Sequence, residues 1–290
     1  MMPSAQPVLK SAFPVSAAKS IARSQQPAIT FFAIGLIGLG VIALVVGDFA
    51  MVWQPVASWI PARTALAYLA GLLEVSVGCG LLFKSTRAWA VRILLPGLIL
   101  WASLKLPAVV VAPQVEGVWL GLGEVTLLLA GGWTLFAQLA DLPRGSLFAF
   151  AAGERGLRAA RMLFAASLPP IGLSHFVYLQ ATAHFVPAWL PYRAGWARLT
   201  GAGQIASGLG VLFNVLPRAA AWAEAAQISF YTLLIWLPAC FMVSANMQAV
   251  FGQSDRRLPF TGFFISWIIA AAAWAVAQNI SPKAGPVAEK

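Results

Sequence analysis

Charge is what this sequence has least of. Lys and Arg number 19 and Asp and Glu 9, together 10% of 290 residues, where a soluble domain carries roughly 25%. Hydrophobic residues make up 60%, and mean hydropathy is +0.81. A water-soluble fold of this length cannot bury that much apolar surface, and a disordered chain needs the opposite balance. The scarcity of charge therefore excludes nucleic-acid-binding domains and cytosolic enzymes, and calls for lipid as the main solvent.

Cysteine and histidine are equally sparse. The two cysteines, Cys79 and Cys240, sit inside apolar runs without a CxxC spacing. They read as small apolar side chains toward opposite leaflets, which argues against both a disulfide scaffold and a thiol–disulfide enzyme. His175 lies within an apolar run and His184 in a loop. Two histidines at different depths cannot form the usual axial pair of a transmembrane haem. No P-loop, dinucleotide glycine motif, nucleophile elbow or metal-ligand cluster stands out, so no cofactor is identifiable from motifs.

What the chain has instead is long apolar runs. A membrane span needs about 20 such residues. Eight stretches qualify: 28–51, 63–84, 88–111, 117–139, 157–180, 193–214, 219–247 and 260–280. Leu, Ala and Gly dominate and none alternates like a strand, so the fold class is all-α, a polytopic membrane protein of eight transmembrane helices. The first run is too long for a signal-peptide core and reads as a retained span behind a cytoplasmic tail, 1–27.

Lys and Arg set the orientation. Thirteen fall on one side: Lys10, Lys19, Arg23, Lys84, Arg87, Arg92, Arg144, Arg155, Arg158, Arg161, Arg218, Lys283 and Lys290. Five fall on the other: Arg63, Arg193, Arg198, Arg256 and Arg257. Both termini are expected in the cytoplasm, with 281–290 as a C-terminal tail. The formal charge of +10 then belongs to loops beside anionic lipid headgroups, not to nucleic acid.

The chain also echoes itself. Residues 59–83, WIPARTALAYLAGLLEVSVGCGLLF, and 189–213, WLPYRAGWARLTGAGQIASGLGVLF, are identical at 10 of 25 positions. A weaker echo joins GGWTLFA at 131–137 to AAWAVAQ at 272–278. Four spans per repeat preserve direction, so the expected architecture is two parallel four-helix bundles, 28–139 and 157–280, joined by a linker, 140–156. Gly71 with Gly78 and Gly201 with Gly208 each share a helix face, as close helix packing in lipid requires. The paired W-[IL]-P-x-R stretches read as anchors at the membrane surface, with Trp at headgroup level and Arg reaching for water.

Ionisable residues within spans carry the sharpest functional signal, because an unpaired charge there is costly. In the first half these are Asp48, Glu74, Lys105 and Glu124, one from each span. They form a candidate intramembrane polar site in which Lys105 offsets the carboxylates. A buried polar knot that fixes helix register is the competing reading. The second half offers His175, Arg198 and Gln204, so one half is acidic and the other neutral to basic.

The G-x-x-E/Q-x-x-x-G-x-G-x-L-F stretches at Gly71–Phe83 and Gly201–Phe213 resemble the DoxX-like family of small bacterial four-helix membrane proteins. Gly172-Leu-Ser-His-Phe-Val-Tyr178 and Val186-Pro-Ala-Trp-Leu-Pro191 add to the resemblance, which is clearest over 157–280. It implies a helical bundle of the bacterial cytoplasmic membrane, here duplicated, serving a membrane or redox partner, with quinone as the one cofactor it points to. The expected function is a non-catalytic membrane module that binds a hydrophobic small molecule or a partner subunit. A quinone-linked oxidoreductase subunit and a proton-coupled small-solute transporter, the latter with Glu74 as the titrating group, are the alternatives.

Overall fold

A computed structural model describes residues 26–143, 145–252 and 254–280. The tails, with Lys10, Lys19, Arg23, Lys283 and Lys290, and the linker residue Arg144 lie outside the described residues. The described residues are helical with no strand. In order the helices are α1 (Gln26–Val46), α2 (Arg63–Leu82), α3 (Arg87–Ser103), α4 (Leu106–Val111), α5 (Glu116–Leu139), α6 (Gly153–Val177), α7 (Leu179–Phe185), α8 (Arg193–Leu212) and α9 (Pro217–Tyr231). Helix α9 runs on through a π-helical stretch, Thr232–Trp236, and a last α turn, Leu237–Ala239; α10 (Ser244–Phe251) and α11 (Arg257–Gln278) follow.

Five of these segments are long and apolar enough to cross a membrane: α1, α2, α3 with α4, α5 and α11. Helices α6 and α7 reach that mark only together, and they bend by 96° where they join. Helices α8 and α9 do not reach it, and α9 is only 15 residues long before its π-helical extension.

The breaks have local causes. Helix α1 stops at Val46, short of 51, because Gly47 takes a left-handed φ of 69° and closes the last turn onto the Ala43 carbonyl. The stretch read as 88–111 breaks after Ser103, since Pro107 has no N–H to give and its ring would meet the Ser103 carbonyl. The stretch read as 219–247 ends at Ala239. Pro238 sits there, and the π-helical turns before it widen the helix where its ring would strike Leu234. Pro96, Pro169 and Pro170 stay inside their helices.

Close backbone approach dominates the packing. Helix α1 crosses α2 at Gly40 and Gly71, and a Cβ on Gly71 would stand 2.8 Å from the Gly40 carbonyl oxygen. Helix α6 crosses α8 at Gly172 and Gly201, where the corresponding gap to the Gly172 oxygen is 2.7 Å. One helical stretch away, Gly78 faces the Ala33 carbonyl and Gly208 the Ala165 carbonyl, each at 2.8 Å from an added Cβ. Small residues at the crossing are how helices gain dispersion contact where lipid offers no hydrophobic drive.

Successive long helices pack as neighbours: α1 on α2, α2 on α3 and α3 on α5, then α6 on α8, α8 on α9 and α9 on α11. Neither set closes upon itself. The largest partner of α5 is α6, while α11 lies on α1, and α5 and α11 meet at the centre. The architecture therefore departs from two self-contained bundles side by side, because each set lends its last helix to the other. Glycines make this possible. A Cβ on Gly131 would come within 2.8 Å of Ala272 Cα, and one on Gly123 within 2.8 Å of the Ser167 carbonyl. At one end of that central contact the Gln138 amide donates to Asn279 Oδ1.

A methyl group at either crossing must push two backbones apart. Gly71→Ala and Gly201→Ala are each expected to cost about 1–3 kcal/mol, read as a lower unfolding midpoint in detergent. Gly97→Ala, with nothing within 4 Å of its added Cβ, is expected to leave the midpoint unchanged.

Candidate functional site

The polar residues sort into one surface latch, two cavities and the wall between them. Asp48 follows α1 and forms the latch. Its Oδ1 accepts from Arg63 at the start of α2, and its Oδ2 accepts from Arg257 Nη1 of α11 at 2.8 Å. Arg257 also grips Asp255, with Nη2 to Oδ2 at 2.6 Å. One carboxylate thus ties three helix ends together. Burial alone would raise the Asp48 carboxyl, but hydrogen bonds from Arg257 and the Phe49 N–H and the charge of Arg63 outweigh it and hold it below 3.8.

The first cavity, about 310 Å³, lies among α1, α2, α3 and the loop that folds back after α1. Its walls are apolar, including Leu39, Leu73, Leu98 and Trp101, and its polar lining is Glu74 and Gln54. The Gln54 amide donates to Glu74 Oε1, while Gln54 Oε1 accepts from the Ala50 N–H at 2.8 Å. Glu74 Oε2 is buried with no hydrogen-bond partner among the described residues.

The second cavity is twice as large, about 620 Å³, and lies among α5, α6, α7, α8, α9 and α11. Its lining is richer in polar groups: Glu124, Ser174, His175, Thr200, Gln204, Gln227 and Tyr231. His175 Nδ1 lies 3.1 Å from both Thr200 Oγ1 and the Ala197 carbonyl. Gln227 donates to the Thr200 carbonyl at 2.9 Å and to the Tyr231 hydroxyl at 3.1 Å. Behind this row Gln204 Nε2 donates to Glu224 Oε1 at 3.5 Å. Both of these side chains are fully buried. Gln204 Oε1 and Glu224 Oε2 have no partner among the described residues.

Trp53 and Glu124 make the wall. Trp53 lines the first cavity, Glu124 lines the second, and the indole N–H donates to Glu124 Oε2 at 2.8 Å. Lys105 stands beside them, and its ammonium group donates to the Val52 carbonyl on the same folded-back loop.

The seven residues singled out in the sequence are therefore distributed rather than gathered. Asp48 belongs to the latch, Glu74 to the first cavity, Glu124 with Lys105 to the wall, and His175 and Gln204 to the second cavity. Arg198 is exposed on α8 and lines neither cavity. Four partners were not singled out in the sequence: Gln54, Trp53, Gln227 and Glu224. Glu224 meets the same criterion as Glu74, a lone carboxyl in an apolar stretch, but the third span of the first half holds no carboxylate to draw the eye to it. Cys79 is exposed rather than buried, and Cys240 is buried. No group of three His, Cys, Asp or Glu side chains among the described residues could hold a metal ion.

Among the described residues these features define an all-helical structure with helices fit to cross a membrane and two sizeable cavities. No family model, curated protein or solved structure matches the chain.

Asp48→Asn is expected to cost on the order of 1 kcal/mol in detergent at pH 7, seen as a lower unfolding midpoint. A carboxyl held below its ordinary value stabilises fully above 3.8 and loses that contribution as pH falls through its folded value. The gap between wild type and Asp48→Asn should accordingly close as pH is taken down from 3.8.

Proposed function

We propose that this is an eight-span protein of the bacterial cytoplasmic membrane, built from two parallel four-helix units, that binds a hydrophobic small molecule in the larger cavity. The 620 Å³ chamber is the observation that carries the reading. Ligand pockets run about 300–1,000 Å³ and pair apolar walls with a few convergent polar groups. Here Leu127, Ile171, Phe185, Ile228 and Ile269 supply the walls, and His175, Thr200, Gln227 and Tyr231 supply donors and acceptors at one end. Trp196, Phe230 and Leu234 line the chamber and are exposed at 42%, 60% and 41%. They mark a side entrance between α8 and α9 through which a lipid-dissolved molecule can enter.

Several observations support the duplicated, parallel arrangement. Arg63 donates to the Val56 carbonyl and Arg193 to the Val186 carbonyl, 130 residues on. Ala62 and Tyr192, just before α2 and α8, both take left-handed φ, 53° and 55°. At the centre, Gly131 and Ala272, matched by the weaker echo, touch each other, and Gln138 and Asn279, one residue past its end, are hydrogen-bonded. Equivalent residues meet in this way only along a two-fold axis, and an axis along the membrane normal keeps both copies facing the same way. Counting α6 with α7, α8, and α9 with its π-helical extension as spans gives eight. Both termini then lie on the face that carries Arg87, Arg92, Arg158 and Arg161, which is the cytoplasmic face by the positive-inside rule. The sequence resemblance to the DoxX-like family fits a unit of four helices. Quinone is one molecule of suitable chemistry, with a long apolar tail and a head that hydrogen-bonds.

Native mass spectrometry of the protein extracted from its own host membranes tests the binding. The expected spectrum carries one apolar adduct, retained by wild type and reduced at least tenfold in a Gln227→Leu, Tyr231→Phe double variant that keeps the wild-type unfolding midpoint. A wild-type spectrum free of any adduct, or an adduct equally abundant in the variant, would contradict the proposal.

A further inference from the structure

We infer that the first cavity is a second, separate binding site, for a single-chain neutral amphiphile with a hydroxyl head that enters sideways from the bilayer. Three features carry this. The first is shape: a chamber of about 310 Å³ with almost wholly apolar walls suits one hydrocarbon chain and falls at the lower edge of the range for small-ligand pockets. The second is access. Leu69, Leu73 and Leu100 line the chamber and are also exposed on the outside, at 53%, 45% and 54%. The mouth therefore opens between α2 and α3, on a flank made of leucine. Gly97 stands at that mouth, and a Cβ built there meets nothing within 4 Å.

The third feature is the head-group chemistry. Both polar ends of Gln54 are engaged, its amide on Glu74 Oε1 and its carbonyl on the Ala50 N–H. Glu74 Oε2 is thus the one lining carboxyl oxygen buried without a partner in the chamber. An unmet polar atom in an apolar cavity is destabilising until something bonds to it. A hydroxyl both donates and accepts, so it satisfies this oxygen whether or not the oxygen carries a proton. A fatty-acid carboxylate would bring a charge into a chamber lined by no Lys or Arg to offset it, and a bare hydrocarbon would leave the oxygen unmet.

The wall makes the two sites neighbours without merging them. Trp53 faces this chamber and is hydrogen-bonded to Glu124, which faces the other. The ligands differ accordingly: a tail with a single hydroxyl here, and a larger molecule with several polar contacts in the chamber lined by His175 and Tyr231.

Photo-crosslinking in native membrane vesicles with a diazirine-bearing C12 alcohol tests the inference. Expected is saturable labelling of Leu39 and Val125, both buried side chains of this chamber, competed by excess dodecanol and much less by dodecane or dodecanoate. Gly97→Leu, which plugs the mouth into open space, should reduce that labelling at least tenfold while leaving the native adduct of the larger chamber in place. Glu74→Leu should abolish the preference for the alcohol over dodecane. Labelling confined to the lipid-facing Leu69 and Leu100, labelling that does not saturate, or labelling unchanged in Gly97→Leu would each overturn it. Because the larger chamber is scored separately through its own adduct, a failure here is distinct from a failure there.

Discussion

The contact between α5 and α11 is the constraint on which the rest of the structure depends. Both helices have to be nearly bare of side-chain bulk where they meet, and they are. Gly131 faces Ala272, within the alanine run Ala270–Ala273, and a methyl on Gly131 would collide with the backbone of Ala272. Once these two helices touch, each can reach past its own set and lie on the first helix of the other. The exchange locks eight helical segments into one body. It also leaves α2 with α3, and α8 with α9, on the flanks, where their sparser packing opens a chamber on either side.

The two chambers are variations on one plan. Each lies inside a set of helices whose first pair crosses at glycine, and each has its side opening between the second and third long helices of its set. They differ in chemistry. The first keeps one carboxyl fixed by a glutamine from a folded-back loop. The second replaces that carboxyl with Gln204, sets Glu224 behind it, and adds a row of hydrogen-bonding side chains running from His175 to Tyr231. The helix crossings are alike in the two sets while the linings differ. The latch at Asp48 binds the end of α1 to the starts of α2 and α11, so it holds α11 at the end opposite Asn279.

Much of the fold was legible in the sequence because lipid makes composition decisive. Apolar length located α1, α2, α3 with α4, α5 and α11, and the Gly71, Gly78, Gly201 and Gly208 spacing located the crossings. Helix interruptions were less legible. Pro107 and Pro238 broke or widened their helices, whereas Pro96, Pro169 and Pro170 did not, and the residue type alone does not separate the two groups. The exchange of the last helices was invisible because a span pattern does not say which neighbour a helix chooses. The site was half legible. Charges within apolar stretches led to Glu74, Lys105 and Glu124, but their partners Gln54 and Trp53 sit in a loop that reads as ordinary surface chain. Arg198 carried the same signal and turned out to face outward, since a residue near a helix end can reach water without entering the interior.

Cysteine crosslinking across the central contact tests the account most directly. In a variant with Cys79 and Cys240 replaced by Ala, Gln138→Cys and Asn279→Cys would be treated in membranes with a short bis-methanethiosulfonate reagent. The account predicts near-complete intramolecular crosslinking of this pair and none between Gln138→Cys and Arg257→Cys at the far end of α11. Crosslinking of the second pair in place of the first would mean that α5 and α11 run in opposite directions, and the parallel, interlocked arrangement would be contradicted.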